Sequence, residues 1–321
     1  MTQYNTMHPK LGRVIQNIES VMVGKRDVSL LSLVAILANG HVLLEDVPGV
    51  GKTMMVKALA KSIGAGFKRI QFTPDLLPSD VTGVSIYNPK EMRFEFKEGP
   101  IFGNIVLADE INRTSPKTQS ALLEGMEEGS VTVDGTTRIL AKPFFVMATQ
   151  NPVDYEGTYP LPEAQLDRFL FKLRMGYPTK AEEFDVLTLA EKERPIHKVE
   201  SVITKEELVE LQDEIQHVYV DETIKSYIIE ITSKTRTHPA VYLGASPRAS
   251  IALMKAAQAY AFILGRDYII PDDIQYLAGF TLAHRIILRS EAKFEGKSSE
   301  ELIREVVART SVPVQRSLSS K

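Results

Sequence analysis

Gly49, Gly51, Lys52 and Thr53 have the types and spacing of residues that hold a phosphate chain. They close the stretch HVLLEDVPGVGKT, residues 41–53, in which His41 to Glu45 reads as a short buried strand. Val56, Leu59, Ala60 and Ile63 then recur at helical spacing, so the order is strand, glycine-rich turn, helix. A triphosphate needs many donors at close range. Backbone N–H groups at a helix N-terminus supply them, and glycines at 49 and 51 let that backbone come close. On this reading Pro48, Val50 and Met54 complete the nucleotide-contacting loop, Lys52 reaches the β- and γ-phosphates of ATP, and Thr53 offers its hydroxyl to Mg²⁺. One position departs from the strict pattern, which has glycine where this chain has Asp46. Val47-Pro48-Gly49 still provides a tight turn, and binding is expected to survive the change.

A second set of oxygen atoms stands at Asp109-Glu110, directly after the apolar run Ile105 to Ala108. Such a run marks a strand buried on both faces of a parallel sheet, whose carboxyl end opens onto the ligand crevice. There Asp109 can hold Mg²⁺, directly or through water, while Glu110 orients and polarises the water that attacks the γ-phosphate. Asn151 follows the next apolar run, FFVMAT, and its amide can both donate and accept; a turn role before Pro152 fits the spacing equally well. Arg168 precedes FLF, and Arg248 opens a helix after Ser246-Pro247. Either guanidinium could face phosphates, and either could be an ordinary surface arginine.

The elements that must place these groups alternate strand and helix up to about Gly176, which predicts a parallel α/β sheet. Residues 84–101, with Phe94 and Phe96 in alternation, and SVTVDGTTRIL around Asp134-Gly135 read as two inserted hairpins. Beyond Gly176 the period is helical, with helices expected near 205–218, 222–237, 248–264, 272–288 and 299–309, the first behind a Thr204–Glu207 capping box. The expected division is a core over 1–178, a linker over 179–203 and a smaller all-helical domain over 204–321.

Composition excludes several other classes. The 321 residues are 44% hydrophobic and 25% charged, with a net charge of −3, so no global attraction to nucleic acid or an anionic membrane is expected. With no cysteine there is no thiolate nucleophile and no Cys-based zinc site. His8, His41, His197, His217, His238 and His284 show no i, i+4 pairing, and no G-x-S-x-G occurs. Glu127-Glu128 and Lys192-Glu193-Arg194 read as solvated faces. The N-terminal MTQYNTMHPK has no apolar core, and the longest apolar stretch, Leu30 to Ala38, is far shorter than the ~18–20 residues of a spanning helix. These features suit a cytoplasmic protein.

Taken together the motifs resemble the AAA+ ATPases, through VPGVGKT, IVLADE, Asn151, LDRF and GASPRAS. Within them, DEINRTSPKTQSALLEGMEEG and ATQNPVDYEGTYPLPEAQLDRFLFKL are similar to the MoxR family, and the likeness runs from about residue 10 to 315. The resemblance implies an AAA+ P-loop core with hairpin insertions and a helical lid. Lys52, Thr53, Asp109 and Glu110 then become the Walker residues, Asn151 the first sensor, Arg168 an arginine finger acting in trans, and Arg248 a second sensor that also contacts the nucleotide. Val23 and Gly24 fall where such proteins pack the adenine. The two insertions resemble those of magnesium chelatase motor subunits and replicative MCM helicases. The family further implies a ring, usually a hexamer, that remodels or activates a protein client, sometimes aiding metal insertion, often with a von Willebrand A domain partner. Two competing functions remain: a nucleic-acid-dependent or magnesium-chelatase-like motor, and a nucleotide-gated scaffold. The first needs a basic track, for which the second hairpin offers only Arg138 and Lys142 against Asp134.

Overall fold

The computed structural model describes residues 7–47, 49–151, 157–191 and 195–313, and it begins with two helices, α1 (Pro9–Glu19) and α2 (Arg26–Leu37). Pro9 occupies the first turn of α1, where a missing N–H is no loss, and Leu11, Val14, Ile15 and Ile18 make one fully buried stripe. Helix α2 is buried from Val28 to Leu37. Its two serines are accommodated by donating to carbonyls one turn back, Ser29 to Lys25 at 2.8 Å and Ser32 to Val28 at 2.6 Å.

Next in the chain come β1 (Val42–Glu45), α3 (Lys52–Ser62), β2 (Phe67–Gln71) and the short α4 (Pro78–Thr82). The hairpin β3 (Gly83–Asn88) and β4 (Arg93–Glu98) leads into β5 (Ile105–Asp109) and α5 (Pro116–Glu128). A second hairpin, β6 (Ser130–Val133) and β7 (Thr136–Ile139), precedes β8 (Phe145–Gln150), α6 (Glu163–Leu166) and β9 (Phe171–Leu173). The five long-range strands form one parallel sheet in the order β2-β5-β8-β1-β9. In β1, β5 and β8 every residue is buried except the last, so Glu45, Asp109 and Gln150 emerge together at the carboxyl edge. Both hairpins lie outside this sheet, as expected. Asp134 (φ 52°) and Gly135 (φ 73°) supply the two positive φ values that a tight type I′ turn requires. The hairpins touch where the Arg138 guanidinium lies 3.8 Å from the Phe96 ring centre.

The division of the chain differs from the expected one. Compact units run from Met1 to Asp213 and from Glu214 to Lys321. The stretch expected as a linker contains helix α7 (Lys180–Ala190), capped reciprocally by Thr179 and Glu182. Helix α8 (Lys205–Ile215), behind the expected Thr204–Glu207 box, belongs mostly to the first unit. Its Gln212 side chain donates to the Ile36 carbonyl at 2.6 Å, and Glu207 pairs with Lys10 at 2.6 Å. These attachments to α1 and α2 leave no trace in the period of either helix.

The second unit holds α9 (Glu222–Thr237), β10 (Val241–Leu243), α10 (Pro247–Ile263), α11 (Pro271–Leu282), β11 (Ile287–Leu288), α12 (Ser290–Phe294) and α13 (Ser299–Ala308). It is helical apart from the short antiparallel pair β10–β11, so the helix expected over 272–288 stops at Leu282. Asp273, nearly fully buried, is held by both arms of Arg266 at 2.6 and 2.8 Å. Among the described residues no helix is long and apolar enough to cross a membrane.

His41, at the entry to β1, ties three elements of the first unit. Its Nδ1 accepts the Val146 N–H at 3.1 Å, which leaves Nε2 to donate to the Met126 carbonyl at 3.1 Å. That arrangement requires the neutral ring, and burial lowers its pKa to about 4, against the smaller opposing effect of the Met126 carbonyl. The folded chain keeps the ring neutral down to about pH 4, whereas an unfolded histidine protonates near 6.5. This contribution is therefore complete above ~6.5 and is lost as pH falls toward 4, amounting to about 3 kcal/mol at the acid end. Denaturant titrations between pH 7 and 4 should show that loss in the parent, and a shallower slope by that amount in His41→Phe.

Candidate functional site

At the carboxyl edge of the sheet lies a cavity of about 470 Å³. The glycine-rich loop contributes Asp46, Gly49, Gly51, Lys52, Thr53 and Met54; β5 contributes Asp109 and Glu110; Asn151 follows β8; and Arg69 and Gln71 come from β2. The sequence-predicted phosphate loop, acid pair and Asn151 thus meet in one place.

Gly49 (φ 86°) and Gly51 (φ 93°) both adopt backbone that side chains disfavour. A Cβ at Gly51 would also press to 3.0 Å on the Met22 methyl, which seats the loop. Gly51 caps α3 with no side-chain acceptor; the Met54 N–H turns to the Gly51 carbonyl at 3.0 Å, and the Lys52 and Thr53 N–H groups before it keep their capacity for an anion. The Lys52 ammonium donates to the Asp46 carbonyl at 2.8 Å. Burial pulls its pKa below the ordinary lysine range, opposed by the carboxylates of Asp46, Asp109 and Glu110.

The acid pair is held by one buried hydroxyl. Thr149 donates to Asp109 Oδ1 at 2.7 Å and accepts the Glu110 N–H at 2.8 Å. Glu110 needs this support because it sits in the left-handed region (φ 58°, ψ 50°), a conformation worth about 1–3 kcal/mol of strain for a residue with a side chain. Its carboxylate accepts Gln71 Nε2 at 2.9 Å and faces Arg113 at 3.4 Å. Asp109 Oδ2 pairs with Arg69 at 2.6 Å, and Arg69 also donates to Gln71 at 2.6 Å.

Other expected residues are placed as follows. The Asn151 carbonyl accepts from Asn112 at 3.4 Å. Val23 is half-buried, and Gly24 makes an exposed turn (φ 70°) against α7, where an added Cβ would overlap Glu182 Oε1. Val50 belongs to the loop but not to the cavity wall, and Pro48 lies outside the described residues. Arg168 is not on this cavity; its Nε pairs with Glu127 at 2.8 Å, so Glu127 is not simply a solvated charge. Arg248 stands in the first turn of α10, behind the Ser246 cap, in the second unit. Sequence reasoning missed Arg69, Gln71 and Thr149. Arg69 and Gln71 share one face of β2 at i, i+2, and Thr149 lies two residues before Asn151, but nothing local marks them as partners of the acid pair.

These residues fit a nucleotide triphosphate with Mg²⁺. The glycine cradle and uncapped helix suit phosphates, and Thr53 and Asp109 are the hard oxygen donors Mg²⁺ favours. Among the described residues no three His, Asp or Glu side chains cluster as a stand-alone metal site.

Comparison with known proteins finds relatives along most of the chain. Residues 41–171 match the ATPase family associated with various cellular activities (AAA), and residues 233–306 match the AAA lid domain. The chain is 71% identical over 317 residues, 99% of both chains, to YeaC of Bacillus subtilis. It is 40% identical to the chaperone MoxR1 of Mycobacterium tuberculosis, over 94% of this chain and 82% of that one. A solved structure from Cytophaga hutchinsonii, described only as a candidate ATPase, superposes with a TM-score of 0.90 at 43% identity, covering 95% of this chain and 96% of that one.

Thr149 offers a direct check of how the acid pair is held. Thr149→Val leaves the Glu110 N–H and one Asp109 oxygen without their buried partner, and should cost about 1–3 kcal/mol in denaturant unfolding. Thr149→Ser keeps the hydroxyl and should lose less than about 1 kcal/mol.

Proposed function

We propose, from the premise that this chain belongs to the MoxR family of AAA+ ATPases, that it binds Mg²⁺–ATP in the cavity, hydrolyses it, and uses the cycle to remodel or activate a protein client. The observation that carries this reading is the meeting of Lys52, Thr53, Asp109, Glu110 and Asn151 around one cavity. The first turn of α3 and Lys52 bind the phosphates, and Thr53 and Asp109 would hold the metal. When bound, Mg²⁺ neutralises charge on the β- and γ-phosphates. Glu110 takes up a proton from the attacking water, and Asn151 orients that water or the γ-phosphate. Val23 and Gly24 pack the adenine, and Arg248 has the role of second sensor that the family resemblance implies.

Two features support a protein client over a nucleic acid. The hairpins expose Met92 (79%), Phe94 (72%) and Ile139 (84%), apolar groups suited to another protein surface. Arg138 is already engaged by the Phe96 ring and by the carbonyls of Val133 and Thr136, each at 3.0 Å, which occupies donors that a phosphate backbone would need. The name of the Mycobacterium relative, a chaperone, points the same way. We further place the protein in the cytoplasm as a ring, with a von Willebrand A domain protein as the expected partner.

Nucleotide titration tests the site. Lys52→Ala should abolish tight ATP binding, whereas Glu110→Gln should bind ATP and turn it over at least about a hundredfold more slowly. A Glu110→Gln protein as fast as the parent would remove the base. If Glu110→Gln supports the biological role unimpaired, a nucleotide-gated scaffold replaces the motor.

Assembly provides a second test. With Arg168 off its own cavity, the reading makes it the donor to a neighbour's γ-phosphate, an interaction worth ~10³–10⁵ in rate, or roughly 4–7 kcal/mol of barrier. Specific activity should rise with protein concentration. A 1:1 mixture of Lys52→Ala and Arg168→Ala proteins should regain turnover that neither shows alone, because some interfaces then pair an intact cavity with an intact arginine. Activity independent of dilution, or a fully active Arg168→Ala, would remove the role in trans.

A further inference from the structure

Asp46 is the residue at which the phosphate loop departs from the strict glycine pattern, and the reaction outlined above gives it no task. Its backbone stays outside the positive-φ region, so no glycine is required there. The carboxylate, only 7% exposed, accepts the N–H of Met175 and, at 3.1 Å, the N–H of Gly176. Those are the first peptides beyond the residue that follows β9, far away in sequence. The same stretch is held through its carbonyls by Lys25, 8% exposed, which donates to Met175 at 2.8 Å, Gly176 at 3.1 Å and Tyr177 at 3.4 Å. Two buried ions of opposite sign thus grip one short segment, the anion by its donors and the cation by its acceptors, and each finds the partners that burial demands.

Asp46 is also fixed through its own main chain. Its N–H donates to Gln150 at the end of β8, at 3.1 Å, and its carbonyl takes the Lys52 ammonium at 2.8 Å. One residue therefore joins the exits of β8 and β9 to the lysine that meets phosphate.

We propose that Asp46 is a positioning residue for nucleotide binding: its anchorage on Met175 and Gly176 sets where the loop leaves β1, and hence where Gly49, Gly51 and Lys52 present their donors. This rests on the nucleotide reading of the cavity. Simple electrostatics points in the opposite direction. Asp46 is one of three carboxylates acting on Lys52, and removing a negative charge beside a polyphosphate should by itself tighten binding.

The sign of the effect therefore decides. Asp46→Gly installs the pattern's own residue and deletes charge and anchor together; Asp46→Asn deletes the charge but keeps one acceptor oxygen. Equilibrium titration with ADP and ATP, well below each variant's unfolding midpoint, should give Asp46→Gly a Kd at least about tenfold above the parent, with Asp46→Asn in between. Hydrogen exchange should show the Met175 and Gly176 amides losing protection in the same order. If only Asp46→Asn folds, its weakened binding alone supports the proposal. Lys52→Ala serves as the reference. Binding by the Asp46 variants that equals or exceeds the parent's, while Lys52→Ala has lost it, overturns the positioning role and leaves the cavity's assignment standing. Nucleotide binding retained by Lys52→Ala overturns the assignment itself, and this proposal with it.

Discussion

Strand β8 lies between β1 and β5, and that order constrains everything else in the site. At roughly 4.8 Å per strand, the loop leaving β1 and the acid pair leaving β5 start about 10 Å apart. Neither could act on a common ligand as sequence neighbours. The parallel sheet brings them to one edge because each crossover returns the chain to the same end, and β8 fills the gap with Thr149 and then Asn151. Burial of every residue but the last in these three strands locks the register, since a slip of one position would turn polar ends into the core.

Along that edge the charges are compensated by side chains of the chain itself. Arg69 stands on Asp109, Gln71 on Glu110, and Lys52 on the Asp46 carbonyl. Glu110 carries strain of about 1–3 kcal/mol in its left-handed backbone, offset by hydrogen bonds worth about 1 kcal/mol each, its N–H donated to Thr149 and its carboxylate accepting from Gln71, and by the Arg113 N–H donated to its carbonyl at 2.9 Å. Glu110 is thus fixed from several directions at the end of a buried strand.

The hairpins answer a different requirement. Both are inserted between sheet strands without entering the sheet, so their faces are free to vary while β5 and β8 keep their pairing. Their contact through Arg138 and Phe96 gives the pair a mutual brace, and their exposed apolar residues lie outside the core formed by residues such as Leu43, Val106, Leu122 and Val146.

The sequence alone determined the features whose physics is local. Apolar runs of four to six residues, helical spacing after Lys52, the Asp134-Gly135 turn and the glycine-rich loop each act within a few residues, and each forms where its pattern places it. Tertiary structure decided what depends on remote pieces of chain. Arg69, Gln71 and Thr149 join the acid pair only because strands distant in sequence are adjacent in the sheet. Glu127 meets Arg168, and α8 joins the first unit through Gln212, for the same reason. Asp46 is the clearest case: in the sequence it is a mismatch to a loop pattern, and in the fold it is the buried acceptor for two backbone groups just beyond β9, a strand remote in sequence that lies next to β1 in the sheet. A buried polar group declares its role only through its partner, and no local period encodes where that partner will come from.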